Sequence, residues 1–581
     1  MSLDALVALP PALLLAAGAV ALLIAPRRLH APLCVALPAL SLAWLVFGLE
    51  PGAAHSVALL DVTLVPVRVD RLSLLFGGIF SVVGVLAGIY AWHVADRAQQ
   101  MAGLLYTAGA LGVSFAGDYI TLYLAWELMA LASVVLVWAR RSPDSTRAGW
   151  RYLGTHLVGG AVLLAGILLH VHGTGSLAFE SFAPGEGGAA AWLILAGFCL
   201  NAAVPPLGAW LPDAYPRATI TGAVFCSALT TKSAVYVLLR TFPGWEVLVV
   251  LGVVMALYGV VYAVLANDIR ELLAYHIISQ VGYMVAGCGL GTEMALNGAA
   301  AHAVCHILYK SLLFMGAGAV LHATGTARLT ELGGLLRRQK LVFGLYMIGA
   351  FSISGVPLWN GFISKSMVVA SAMEQGLMWV FYLLMLASVG TFLHTGLKLP
   401  YGVWFGRGRG LTSAPVPRNM IVAMAAAAFL CTFLGLAPGT LYGLLPHAVD
   451  WDPFTTAHVM ESLEMLAFTF FAFVLLIPLL HGRRTISIDT DVLYRKPARL
   501  VRAATVDVVG RLYDGSHALV GRCARGLARV VVDPAAWVPG WFERLASDEP
   551  DYDEDRARLP LAWSLGLTLL TFAALAVLVL G

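Results

Sequence analysis

The sequence predicts an all-α polytopic membrane protein, and three observations predict it. Of its 581 residues, 60% are hydrophobic and only 12% are charged, with a mean hydropathy of +0.83. A soluble protein of this size could not hide so much apolar surface. Apolar runs recur from end to end, each near the ~20 residues that cross a bilayer as a helix. The alternating pattern of a membrane β-barrel is absent. The formal net charge of +3 is small, and no basic cluster interleaves with aromatics outside the tail. Nucleic acid is therefore not an expected partner, whereas the lipid bilayer is.

The N-terminal run "MSLDALVALPPALLLAAGAVALLIAPRR" is too long and wrongly flanked for a cleaved signal and reads as the first span. Sixteen spans follow the hydropathy, near 5–25, 31–49, 72–95, 102–116, 118–139, 150–171, 190–206, 218–239, 246–266, 272–290, 295–321, 341–370 (broken), 377–405, 419–440, 460–480 and 561–580. Basic residues sort among the loops. Arg27, Arg28, Arg97, Arg140, Arg141, Arg217, Arg270, Arg337, Arg338, Lys340, Arg407, Arg409, Arg483 and Arg484 follow odd-numbered spans. Loops after even-numbered spans are sparse or acidic, with Arg68, Arg71 and Arg240 as exceptions. The positive-inside rule then places the N-terminus outside and the odd-to-even loops in the cytoplasm, as expected for a multi-pass protein of the cell (inner) membrane. Residues 483–560 differ: arginines and apolar residues at helical spacing read as an amphipathic helix on the cytoplasmic surface or along the protein's flank, and "SDEPDYDEDR" as an acidic connector. The seven cysteines show no CxxC pair, so neither a metal site nor a disulfide framework is expected.

The ionisable residues inside spans carry the functional signal. The chain has six lysines against thirty arginines, and four of the six lie in apolar runs: Lys232, Lys310, Lys365 and Lys398. Arginine keeps its proton in any protein setting, whereas a buried lysine can release it. A site that loads and unloads a proton needs lysine. Glu127 in "LYLAWELMALASVV" is the matching acid. A charge there costs at least ~2.5 kcal/mol on insertion scales, so it points to function, although a glutamate neutralised by an interhelical hydrogen bond is the plainer alternative. His302, His306 and Lys310 in "AHAVCHILYKS" recur every four residues and share one helix face. Histidines one turn apart could form half a metal site, but no Cys, Asp or Glu accompanies them and a lysine shares the stripe. Proton relay fits better, with structural histidines as the alternative. His276 near a helix start reads as a weaker candidate.

Two spans are broken. Pro205 and Pro206 interrupt the seventh just after Asn201, and Pro357 and Gly361 interrupt the twelfth just before Lys365. Such breaks free backbone groups and persist only where protein or water satisfies them. Corresponding breaks suggest inverted repeats, each carrying half of a transport path. The organisation read from this is 1–101 (spans 1–3), 102–240 (first repeat, spans 4–8), 241–410 (second repeat, spans 9–13), 411–482 (spans 14 and 15), 483–560 (amphipathic segment) and 561–581 (last span).

Taken together, "AWELM", "PLGAWLPDAYP", "TTKSAVYVLLR", "DIRELLAYHIISQVGYM", "AHAVCHILYKSLLFMGAGAVLH" and "SGVPLWNGFISKS" resemble the antiporter-like subunits of respiratory complex I. They look closer still to D-type subunits of Mrp-type multisubunit cation/proton antiporters and to related subunits of membrane-bound hydrogenases. The resemblance covers roughly residues 70 to 410 in order, and "IDTDVLYRKP" resembles the C-terminal extension of some of these relatives. It implies a core of about fourteen helices with two inverted five-helix repeats, broken helices 7 and 12, and further spans in a C-terminal extension. It also implies a polar axis along the membrane plane. Glu127 matches the key glutamate of the fifth helix, and Lys232 the bridging lysine of the eighth. His302, His306 and Lys310 match the stripe of the eleventh, Lys365 the terminal lysine at the break in the twelfth, and Lys398 a basic position in the thirteenth. One place departs. Most relatives carry a lysine where this chain has Asn201, thirty-one residues before Lys232. "PRATITG" also stands where an Ala-Pro-x-Pro run is usual. Asparagine can orient water but cannot carry a proton's charge.

The resemblance implies a proton- or Na⁺-translocating subunit with the other membrane subunits of an Mrp-like or complex I-like assembly as partners. The alternatives are the membrane subunit of a hydrogenase or an inorganic-carbon uptake complex, or a scaffold with an inactive first half-channel. No cluster ligands, haem motif or nucleotide loop occurs in the sequence. Neither a cofactor nor a catalytic centre of its own is expected, and membership of a redox-driven translocase stays open.

Overall fold

The structure is a computed structural model that describes residues 10–59, 62–408, 410–477, 489, 490, 492, 503–532 and 566–571. It divides into two units, Met1–Leu493 and Tyr494–Gly581.

In the first unit, fifteen of the sixteen expected spans coincide with described helices. Most of the sixteenth and the start of the first lie outside the described residues. The helices are α1 (Pro11–Ala21), α2 (Arg27–Phe47), α3 (Arg71–Tyr90), α4 (Arg97–Phe115), α5 (Tyr119–Trp138), α6 (Pro143–Thr174) and α7 (Gly188–Asn201). They continue with α8 (Gly222–Thr241), α9 (Glu246–Leu265), α10 (Ile269–Leu290), α11 (Glu293–Thr324), α12 (Lys340–Ser354), α13 (Asn360–Glu374), α14 (Met378–Phe405), α15 (Arg418–Leu436) and α16 (Thr456–Leu476). Eleven of the described helices are long and apolar enough to cross a membrane. The chain is a multi-span membrane protein.

Polar caps fix many of the helix starts. Asp70, Asp118, Ser142, Asp268 and Thr292 each accept an amide in the first turn of α3, α5, α6, α10 and α11, which satisfies donors the helix leaves free. Glycines in the left-handed region close α6, α10, α11 and α12, where a side chain would be strained.

Burial and hydropathy run opposite to the rule for a water-soluble fold. The sampled spans of α8, α10 and α11 are wholly buried, yet α10 and α8 have low mean hydropathies of 1.2 and 1.5, against 2.6 for the half-buried α9. Buried helices face protein, so they can carry polar groups; lipid-facing ones cannot. Gly252 of α9 lies on Gly282 and Ala286 of α10 with room for no Cβ on either glycine, the close approach that small residues permit.

Three features depart from the expected helices. The loop before α3 forms an antiparallel hairpin, β1 (Ala54–Leu59) and β2 (Val62–Arg68). Three of the four residues of its "VTLV" are β-branched, which suits a strand, and Val65 anchors it by donating its amide to Asp118 at 2.7 Å. α8 kinks at Leu229 without proline or glycine. α14 changes to π-helix at Phe392–Lys398 and Tyr401–Phe405, on either side of Pro400. The second unit contains an amphipathic helix, α17 (Val508–Val532), within the 483–560 segment. The acidic connector lies outside the described residues.

Candidate functional site

Glu127 lies in the middle of α5. Its Oε1 is buried without a hydrogen-bond partner and points at Gly160 of α6, where a Cβ would stand 2.0 Å from it. Asn201, the last residue of α7, does not pair with Glu127. Its Oδ1 accepts instead from Nδ1 of His156 on α6 at 2.8 Å. Both residues are 2% exposed. The Tyr152 and Trp210 rings enclose the imidazole at 4.2 and 4.6 Å between centroids. Beyond Asn201 the chain turns through Ala203, at φ 63°, and a cis Pro205–Pro206 bond before short helical turns at Leu207–Arg217. The Leu200 carbonyl accepts both the Ala203 amide at 3.1 Å and the Trp210 indole at 3.0 Å, which ties the turn to the end of α7. Asp213 then binds Arg151 and Arg217 at 2.7 and 2.8 Å.

Lys232 sits just past the kink of α8. The kink frees the Ser227 carbonyl, and Lys232 Nζ donates to it at 2.6 Å and to Thr231 Oγ1 at 3.1 Å. Tyr106 of α4 accepts the Thr230 amide at 3.2 Å, next to the kink. The two side chains thus fill the gaps that the missing helical bonds leave.

α11 carries the centre of the site. His302, His306 and Lys310 are all 0% exposed. His302 Nδ1 meets Ser364 Oγ at 3.0 Å, and its Nε2 faces Tyr309 OH at 3.4 Å. Tyr309 also faces Gln280, which donates to Thr391 at 3.3 Å. Both nitrogens of His306, and Lys310 Nζ, have no hydrogen-bond partner. His306 lies within electrostatic reach of Lys232, Lys310 and His302. An unpaired buried polar group costs about 1–3 kcal/mol, so these groups do not serve stability.

At the second break, Pro357 lies between α12 and α13. Gly361 presses on the end of α12, where a Cβ would stand 1.7 Å from the Ser352 carbonyl oxygen. Gly208 makes the like approach after the first break, 2.2 Å from the Ala203 oxygen. Lys365 Nζ donates to Ile353 O at 3.2 Å and Ser388 Oγ at 3.0 Å, and lies 5.3 Å above the Tyr283 ring. A cavity of about 270 Å³ adjoins it, lined also by Ser366, Ser388, His458 and Glu461. Lys398 donates to Val264 O at 2.6 Å.

The structure brings Lys232, His306, Lys310 and His302 together, and places Lys365 beside a cavity at the end of that row. It does not bring Glu127 and Asn201 into contact. Sequence reasoning missed His156 and His394. His394 pairs with His276 at 5.4 Å between ring centroids, and all four of their ring nitrogens are buried without partners. A lone histidine in an apolar run gives no local signal, but self-comparison would have found His156. α6 and α11 are both 32 residues long, starting at 143 and 293, and bridge pairs Asp118–Ala178 and Asp268–Arg328 flank them, each pair 60 residues apart. At this offset of 150, His156 corresponds to His306 and Gly160 to Lys310.

Broken helices around a buried row of lysine and histidine define a class: membrane subunits with a polar axis in the bilayer. Residues 116–393 match the family described as NADH:quinone oxidoreductase/Mrp antiporter, transmembrane, and the chain belongs to that family. It is 30% identical to uncharacterized protein MJ1309 of Methanocaldococcus jannaschii, covering 60% of this chain and 76% of that one. It is 32% identical to the D-type subunit of the Na(+)/H(+) antiporter of Alkalihalophilus pseudofirmus, over 50% of this chain and 64% of that one, just under two thirds of its length. In fold it is similar to a chain of the Mrp complex from Dietzia sp. DQ12-45-1b, with a TM-score of 0.70 and 23% identity over 82% of this chain and 100% of that one.

Proposed function

We propose that the chain is an antiporter-like subunit of a multisubunit membrane complex and moves protons or Na⁺ along a buried line of carboxylate, imidazole, amine and water. The observation that carries this is the cluster of Lys232, His306 and Lys310: three buried bases in electrostatic reach, two of them without hydrogen bonds. Like charges so placed disfavour one another in a low dielectric. A proton arriving on one base therefore favours departure from the next, so transfer needs no covalent chemistry. Lys365 is the terminal group, exchanging with the outer face through its adjoining cavity. The equal helix lengths and offset of 150 residues support two inverted repeats at 102–240 and 241–410. The relative named as an Na(+)/H(+) antiporter subunit and the Mrp-complex fold support partner subunits in the same membrane.

The test is transport by the native complex, purified through a tag on this chain and reconstituted in liposomes. Lys365→Ala is expected to lower ion uptake at least tenfold while the complex still assembles. Full uptake by the assembled variant would favour the scaffold reading. Uptake with and without Na⁺ assigns the ion.

A further inference from the structure

The geometry points to His156 as the proton-carrying group of the first half of the path, with Asn201 as its positioning residue; this rests on the ion-translocating reading above. Three observations converge. His156 is buried on α6, and its Nδ1 is held by Asn201 Oδ1 at 2.8 Å. Since that oxygen can only accept, Nδ1 carries the hydrogen and Nε2 is the free basic site; Nε2 is buried and has no other partner. Second, Glu127 Oε1 points at Gly160, one turn further along the same helix. Residues four apart have Cβ atoms about 5–6 Å from each other, so the carboxyl meets the same face of α6 one turn from the histidine. Third, the internal offset of 150 residues pairs His156 with His306 on the central stripe.

Gly160 is the counterpart of Lys310. The space a side chain would take in the second half is occupied by the Glu127 carboxyl in the first. The step is a simple transfer. A protonated Glu127 gives its proton to Nε2, leaving a carboxylate and an imidazolium. The imidazolium keeps its Nδ1–H···Oδ1 bond and later releases the Nε2 proton toward α8. Hydroxyls lead that way: Tyr152 beside His156 approaches Thr230, and Thr230 Oγ1 meets Tyr106 OH at 2.5 Å, two residues before Lys232. The groups in contact with His156 are the Asn201 amide and the Tyr152 and Trp210 rings; the Glu127 carboxyl lies one turn away, at Gly160. The Arg151–Asp213–Arg217 ion pairs lie beyond Trp210 on the cytoplasmic side.

The experiment uses the tagged native complex in liposomes, with ion uptake measured from pH 6 to 9. His156→Leu is expected to lower uptake at least tenfold in a complex that retains its subunits. His156→Leu with Asn201→Lys is expected to recover most of it, because a lysine on α7 again supplies a base. Asn201→Ala is expected to shift the pH profile, because the ring loses its fixed tautomer. Wild-type uptake by His156→Leu with an unchanged pH profile would overturn the proposal. So would an assembled double variant that stays inactive, since His156 would then be a packing residue. If Lys365→Ala is inactive in the same preparation, such a failure belongs to His156 alone; if Lys365→Ala is fully active, both readings fall.

Discussion

At the second break, one missing methyl group decides whether two half-helices can meet. A Cβ on Gly361 would lie 1.7 Å from the Ser352 oxygen, and the obstacle is backbone, which cannot swing aside. Gly361→Ala should therefore push α13 off α12 and destabilise the protein by about 1–3 kcal/mol, the range for overpacking. Gly344, in the same pair of helices, has open space around it. Gly344→Ala should be neutral or slightly stabilising, because alanine is the better helix former by about 0.5–1 kcal/mol. Thermal unfolding in detergent checks both, and a midpoint for Gly361→Ala equal to that of Gly344→Ala would refute the close-packing argument. Gly361 was legible beforehand as a helix breaker; its contact with the Ser352 carbonyl was not, because that contact is between residues on separate helices. The same limit hid His156. Nothing near "GTHLVGG" signals a partner, and the partner, Asn201, lies 45 residues away.

Among elements, the loop ahead of α3 ties the end of α8 in place. Asp70 caps α3 through Ser73 and also binds Arg240, in the last turn of α8, at 2.7 Å. Burial alone would push the Asp70 carboxyl up, but the Arg240 charge, the Ser73 amide and Arg68 outweigh it and hold it below its ordinary value. A carboxyl whose value is lowered on folding binds protons more weakly in the folded state. Its contribution is thus fully present above the ordinary carboxylate value of about 3.9 and disappears as pH falls through the lowered one. Asp70→Asn should lower the unfolding midpoint at pH 7, and the gap to the wild type should close as pH falls below about 4. A gap that persists at pH 3 would assign the effect to the helix cap alone. The helices themselves were readable from apolar runs and prolines. The kink of α8 was not, since Leu229 is neither proline nor glycine; it persists because Lys232 and Tyr106 take up the groups it frees.

For the whole molecule, the loop charges predict an orientation that one cysteine can test. Six of the seven cysteines are buried or half-buried, and Cys523 on α17 is exposed. An N-terminus on the outside would put the segment after the fifteenth span in the cytoplasm. A membrane-impermeant maleimide should label Cys523 in inverted vesicles and leave intact cells unlabelled; labelling of intact cells would reverse the topology. The described spans were legible because lipid demands long apolar runs, and the lysines stood out because lipid rejects them. The π-helical turns of α14 and the hairpin before α3 answer to neighbouring chain, which hydropathy does not report. One consequence of the helix lengths concerns the bilayer as a mechanical load. At 1.5 Å per residue, the 32 residues of α6 and of α11 each extend about 48 Å, well past a hydrocarbon core of about 30 Å. A membrane that thins or thickens is met by tilting such rods. His156 and His306 are each the fourteenth residue of their helix, close to the pivot, where tilting displaces them least. The ends swing through the headgroups while the midpoint stays level, so the row of bases is insulated from changes in lipid thickness.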